Sequence, residues 1–123
     1  MKNNFLLIIF ILILGIGIGL YYNKSKQPVL SQEIAESLVR QTWGGCTEDM
    51  CGELKVSILE EKDGVWLVQA IYDSVRDDSV RAVRKIAEVY YTDNAWKLGT
   101  VITDDFRCQP NRGHQDFDSE LCI

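Results

Sequence analysis

The residues best suited to chemistry lie near the end of the chain, between Cys108 and Cys122. This stretch, CQPNRGHQDFDSELC, holds the single histidine of the sequence, His114, with Arg112 before it and Asp116 after it. A histidine close to an aspartate supplies a base and a group that could orient it, and an arginine supplies donors for an anion. Arg112, His114 and Asp116 are therefore the candidate binding residues.

A hydrolytic site would also need a nucleophile, and the sequence offers none in a suitable context. The serines lack the Gly-x-Ser-x-Gly turn that exposes a nucleophile above a sheet, and the cysteines are expected to be oxidised. We predict no catalytic residue and no cofactor. Two interpretations of the tail stay open. It is either a structural clasp, in which Arg112 and His114 bond to carbonyls or carboxylates, or a recognition surface for an anion or a partner protein.

Clustered acids raise the question of a metal site. Asp73, Asp77 and Asp78 could together hold calcium, but the spacing is not that of a D-x-D-x-D-G loop, and Arg76 and Arg81 lie beside them. A solvated hairpin tip with weak ion pairs is the favoured interpretation. The cysteine spacings do not match a zinc ribbon, so we predict no metal site.

The four cysteines form two local pairs, Cys46 with Cys51 and Cys108 with Cys122. An even number of cysteines in a small exported domain indicates disulfides, and four cysteines allow three connectivities. We favour the two local bridges because each brackets a loop. Such bridges place the folded body in an oxidising compartment.

An uncharged apolar stretch, FLLIIFILILGIGIGLYY, occupies residues 5–22. As a helix it would be about 27 Å long, just enough to cross a bilayer. We expect residues 1–22 to be a transmembrane anchor, 23–30 a linker, and 31–123 one α+β domain on the periplasmic or extracellular side. A cleaved secretory signal is the alternative, although no A-x-A-like cleavage site is present.

The charge balance argues against nucleic acid as a partner. The sequence carries 18 acidic and 13 basic side chains, for a net charge of −5, with no cluster of Lys and Arg. The expected partners are the membrane, through the N-terminal helix, and an envelope protein.

Periodicity beyond the linker predicts one helix followed by strands. Apolar residues recur at helical spacing from about Ser31 to Thr42, and two glycines follow. From Glu53 onward the period becomes two, with hairpin signals at Asp63-Gly64 and Asp93-Asn94. The stretch 79–88 would also suit a helix. We favour a strand over 80–92, paired with 65–76 and carrying a bulge near residues 84–85.

These elements predict a helix packed on a four-stranded antiparallel meander, with a disulfide-clasped tail. From Ser31 to about Thr103, this order resembles cystatin-like and nuclear-transport-factor-like folds. The pattern C-x-P-x-R-G-H-x-D-F…C resembles the ending of small, uncharacterised bacterial envelope proteins, which implies a location but no activity.

The function expected from these features is that of a non-catalytic binding module, anchored in the membrane and facing outward. The alternative is a small enzyme or ligand carrier that uses a pocket between helix and sheet. Its lining would come from aromatic residues, which are Trp43, Trp66, Tyr72 and Trp96.

Overall fold

One helix and a four-stranded sheet make up the folded body. The computed structural model describes residues 27–123, so the predicted anchor lies outside the described residues. The elements are α1 (Gln32–Trp43), β1 (Glu53–Lys62), β2 (Val65–Asp73), β3 (Val80–Thr92) and β4 (Ala95–Cys108). The expected α+β class is confirmed for this part of the chain. Between residues 27 and 123, no helix combines the length and apolar character that a bilayer crossing requires.

Helix α1 begins and ends where its sequence signals lie. The Ser31 hydroxyl accepts a hydrogen bond from the Ile34 amide at 3.3 Å, which satisfies one of the free N–H groups of the first turn. Gly44 follows the last turn with φ of 88°, a backbone angle that a residue with a side chain rarely adopts. On the face toward the sheet, Ala35 and Val39 are fully buried.

The strands form an antiparallel meander in the order β1-β2-β3-β4. Asp63 and Gly64 connect β1 to β2 with φ angles of 53° and 81°, and Asp93 and Asn94 connect β3 to β4 with 53° and 58°. Positive φ at both central residues matches the right-handed twist of the flanking strands. Both predicted hairpins are therefore confirmed.

Residues 80–92 form a strand, as favoured, but the predicted bulge near residues 84–85 is wrong. Strand β3 pairs without interruption along β2, from Tyr90 opposite Val65 to Ala82 opposite Asp73. The register shifts lie on its other side, toward β4, where Ala87 is opposite Val101. At two of the three shifts the surplus residues lie on β4, an edge strand, and at the third the extra residue is Arg81 of β3, beyond the end of its pairing with β2.

The space between helix and sheet is filled by small and branched apolar side chains. Val39 of α1, Val68 of β2 and Val89 of β3 are each 0% exposed. Leu30, just before the helix, is also buried in this core.

The two ends of the sheet carry different segments of the chain, and we call the end near Gln27 proximal and the opposite end distal. The proximal end holds the two hairpin turns and Gln27, whose side chain packs so closely over Gly64 that a Cβ there would collide with it. The distal end holds the loop 44–52, the loop 74–79 and the tail 109–123.

Candidate binding site at the distal end

Backbone hydrogen bonds join the three distal segments. The Arg76 amide donates to the Met50 carbonyl at 3.1 Å, which ties the loop 74–79 to the loop 44–52. The Gln109 amide donates to the Ser79 carbonyl at 2.7 Å, which ties the tail to the same loop. The Cys46–Cys51 disulfide closes the first loop on itself, as predicted. The distal end is thus one connected surface rather than three independent loops.

A cleft of about 210 Å³ opens at this end, between the last turn of α1 and the sheet. Its lining is mainly apolar and comes from the helix, the first disulfide loop, and strands β2 and β3. The lining residues are Trp43, Met50, Cys51, Tyr72, Val75, Val83 and Lys85.

Two polar side chains of the cleft are fixed by specific contacts. The Tyr72 hydroxyl donates to the Gly44 carbonyl at 2.8 Å, so β2 is fastened to the end of the helix. Burial raises the pKa of Tyr72, and the nearby Arg40 charge opposes this effect. The Lys85 ammonium lies 2.9 Å from the Asp104 carboxylate and 6.0 Å from the centre of the Trp43 ring.

The side chains that line the cleft are mostly apolar. Within residues 27–123, its lining includes neither a histidine nor a carboxylate, and its one cysteine, Cys51, is bonded to Cys46 in a disulfide. The lining instead offers apolar surface and the Lys85 ammonium.

The tail is held to the sheet by a disulfide and a short strand-like contact. Cys108 and Cys122 are bridged, which confirms the second predicted pairing. The Phe106 amide donates to the Asp118 carbonyl at 2.8 Å, and the Asp118 amide donates back at 3.0 Å. The tail thereby covers part of the free edge of β4.

Phe117 packs against two arginines on the sheet face away from the helix. The guanidinium carbons of Arg84 and Arg107 lie 4.7 Å and 4.5 Å from the centre of its ring. Arg84 also donates two hydrogen bonds to Asp105, one of them at 2.9 Å, and Asp105 is only 6% exposed. The Nε atom of Arg107 is buried and has no hydrogen-bond partner in the described part of the chain.

The structure separates the predicted site residues into different roles. The Nδ1 atom of His114 lies 2.8 Å from the Asp116 carbonyl oxygen, and its Nε2 atom lies 2.8 Å from the Glu120 carbonyl oxygen. These two hydrogen bonds raise the pKa of His114. Asp116 therefore contacts the histidine through its main chain and not its carboxylate. The Arg112 main chain bonds to Gln109 and Ile123, which closes the base of the tail.

Two groups of residues could in principle bind a metal ion, and in both the ligand atoms already bond to other protein atoms. Cys108, His114 and Cys122 place their ligand atoms within 4.8 Å of one another, but the two sulfurs are joined to each other as a disulfide. The Asp77 carboxylate accepts hydrogen bonds from the Ser79 and Val80 amides, both at 2.8 Å. Those two bonds lower the pKa of Asp77.

Sequence reasoning missed Lys85 as a cleft residue. The alternation of β3 could have identified it, because Lys85 falls on the same strand face as Val83 and Val89. A lysine on the apolar face of a strand needs either a partner or access to solvent. Here Asp104 provides the partner.

Comparisons with known proteins identify no relative of this chain, so its function is inferred from the geometry of the site. No protein-family model, no curated protein and no solved structure matches this chain.

Proposed function

We propose that this chain is a membrane-anchored, extracytoplasmic binding module that engages another envelope protein through the cleft at its distal end. The observation that carries the proposal is the apolar cleft of about 210 Å³ beside the buried core. Sites for small molecules usually enclose about 300–1,000 Å³. A smaller open cleft suits one large apolar side chain, which is how protein partners commonly anchor to each other.

The position of the cleft relative to the expected anchor supports this proposal. The chain enters the described domain at Gln27, which packs against the β1–β2 turn at the proximal end. The sheet then separates this turn from the cleft by roughly the length of a nine-residue strand, about 30 Å. An anchor before residue 23 would therefore direct the cleft away from the bilayer and toward other proteins.

The charge in the cleft wall restricts the partner further. Lys85 has three ammonium hydrogens, and Asp104 accepts one of them. An incoming carboxylate could share the others. We therefore expect a partner residue such as Leu or Phe next to an acidic residue.

Photo-crosslinking of the full chain in its native membrane tests the proposal. A benzophenone amino acid replaces Met50, which is 56% exposed at the cleft rim. The matched control carries the same group in place of Asn94, in the hairpin turn at the opposite end. We expect a discrete protein adduct from position 50 and none from position 94.

A second substitution tests whether the adduct forms because the partner binds in the cleft. Val75→Phe adds bulk to the cleft lining and should reduce the adduct from position 50 at least several-fold, with circular dichroism unchanged. Equal adducts from both positions, or an adduct insensitive to Val75→Phe, would contradict the proposal. An adduct with lipid or a small molecule would favour the carrier alternative.

A further inference from the structure

His114 makes two hydrogen bonds that a neutral imidazole cannot make together. Both of its ring nitrogens lie 2.8 Å from backbone carbonyl oxygens, which only accept hydrogen bonds. A neutral imidazole has one N–H, so it would direct a lone pair at one of the two carbonyls. The imidazolium has two N–H groups and satisfies both. The geometry of the tail thus selects the protonated form.

These two bonds bracket the part of the tail that adheres to the sheet. They end at Asp116 and Glu120, on either side of Phe117 and Asp118. Phe117 lies over the arginines of β3 and β4, and Asp118 pairs with the backbone of β4. One side chain therefore holds both flanks of the adhering segment.

The charges around the ring act in the same direction as its hydrogen bonds. The two carbonyls contribute most, and the carboxylates of Asp118 and Glu120 add to them, so that the pKa of His114 rises above its ordinary 6.5. From β4, Cys108 faces the ring, and its disulfide sulfur does not titrate. The arginines of β3 and β4 contact Phe117.

We propose that His114 is a pH-sensitive clasp, which holds the segment 116–120 on the sheet while protonated and releases it when the proton passes to water. Release leaves the Cys108–Cys122 bridge closed and uncovers the guanidinium groups of Arg84 and Arg107. Because the folded pKa is raised, the stabilisation is complete below the unfolded pKa and is lost as the pH rises through the folded pKa. The clasp thus opens on the alkaline side. This inference does not depend on the partner proposed above.

Nitrogen-15 NMR of the full chain in detergent micelles tests the protonation state. The chain has a single histidine, so its imidazole signals are unambiguous. We expect both ring nitrogens to be protonated in the folded protein at a pH where the urea-unfolded protein is already neutral. A folded titration midpoint at or below the unfolded one would overturn the proposal.

The Phe117 ring signals report release. They should move with the same midpoint as His114, and in a His114→Gln variant they should sit at the high-pH position throughout. Arg112→Gln is the matched control, because its main-chain bonds persist and the titration should be retained. Tyr72 signals, from the opposite face of the sheet, verify the fold of each variant. Phe117 signals that stay constant while His114 titrates would refute the clasp.

Discussion

Two ion pairs at neighbouring positions of β3 and β4 differ in solvent exposure because their side chains lie on opposite faces of the sheet. Arg84 pairs with Asp105 on the face away from the helix, and Lys85 pairs with Asp104 on the face toward it. The Asp105 side chain is 9% exposed and the Asp104 side chain 47%. Similar charges therefore experience different solvation. Breaking the buried pair should therefore lower the stability of the fold more than breaking the exposed pair.

Removing the charge of Asp105 should destabilise the fold, because the Arg84 guanidinium would keep its partly buried position without a counter-ion. We expect Asp105→Asn to lower the free energy of unfolding by about 2 kcal/mol. Asp104→Asn is the matched control and should cost at most about 0.5 kcal/mol, since that pair is solvated. Urea titrations followed by circular dichroism measure both. Equal losses in the two variants would show that burial does not distinguish the pairs.

At the scale of elements, α1 covers one sheet face and the tail covers part of the other. The helix face toward the sheet is apolar, with Ala35 and Val39 0% exposed. The tail instead uses one aromatic ring over two cations and one pair of backbone hydrogen bonds. The helix contact therefore depends on apolar burial, and the tail contact on charge and the disulfide. This difference is why a proton can control the tail and not the helix.

The N-cap residue of α1, Ser31, contributes to the stability of the helix. Ser31→Ala removes the acceptor of the Ile34 amide and should lower the free energy of unfolding by about 1 kcal/mol. Ser37→Ala within the same helix is the control. We expect it to be neutral or slightly stabilising, because alanine has the higher helix propensity. Thermal melts of the three proteins at one pH provide the comparison, and a Ser31→Ala melt that coincides with the parent would exclude a capping role.

At the scale of the whole molecule, both disulfides lie at the distal end, and Gln27 enters at the proximal end. Gln27 and the proposed binding surface therefore lie at opposite ends of one sheet. Ordering the distal segments costs conformational entropy, and the apolar burial in a small core offsets only part of this cost. The bridge across residues 108–122 reduces this cost by constraining the unfolded chain, by about 3 kcal/mol in the chain-entropy account.

An extracytoplasmic location predicts the redox state of the native protein. In membranes isolated from the native host, an alkylating reagent with a mass tag should label none of the four cysteines before reduction. After denaturation and treatment with a reductant, it should label all of them. Electrophoresis resolves the labelled forms. Free thiols without reductant would place the domain in a reducing compartment and remove the basis of the proposed function.

Local pattern was sufficient for much of this fold. The positions of α1 and the two type I′ turns depend on residues close in sequence, such as Ser31, Gly64 and Asn94. Period-two alternation predicted β1, β2 and β4, whereas the stretch that forms β3 also suited a helix and was favoured as a strand because it could pair with residues 65–76. The two local cysteine pairs were identified as bridges because each brackets a short loop. For the tail, the sequence identified His114 but left its role open between recognition and support.

Contacts between distant residues were decided by the tertiary structure alone. Lys85 lines the cleft because β3 crosses beneath the end of α1, more than forty positions after Trp43. Within the stretch of β3 that is paired on both sides, the surplus residues of the register shifts lie on β4, because an edge strand is free to bulge. Phe117 lies over Arg84, more than thirty positions earlier in the chain, because the tail folds back onto the sheet face away from the helix. Sequence periodicity describes one element at a time, whereas the cleft and the clasp each need several elements to meet in space.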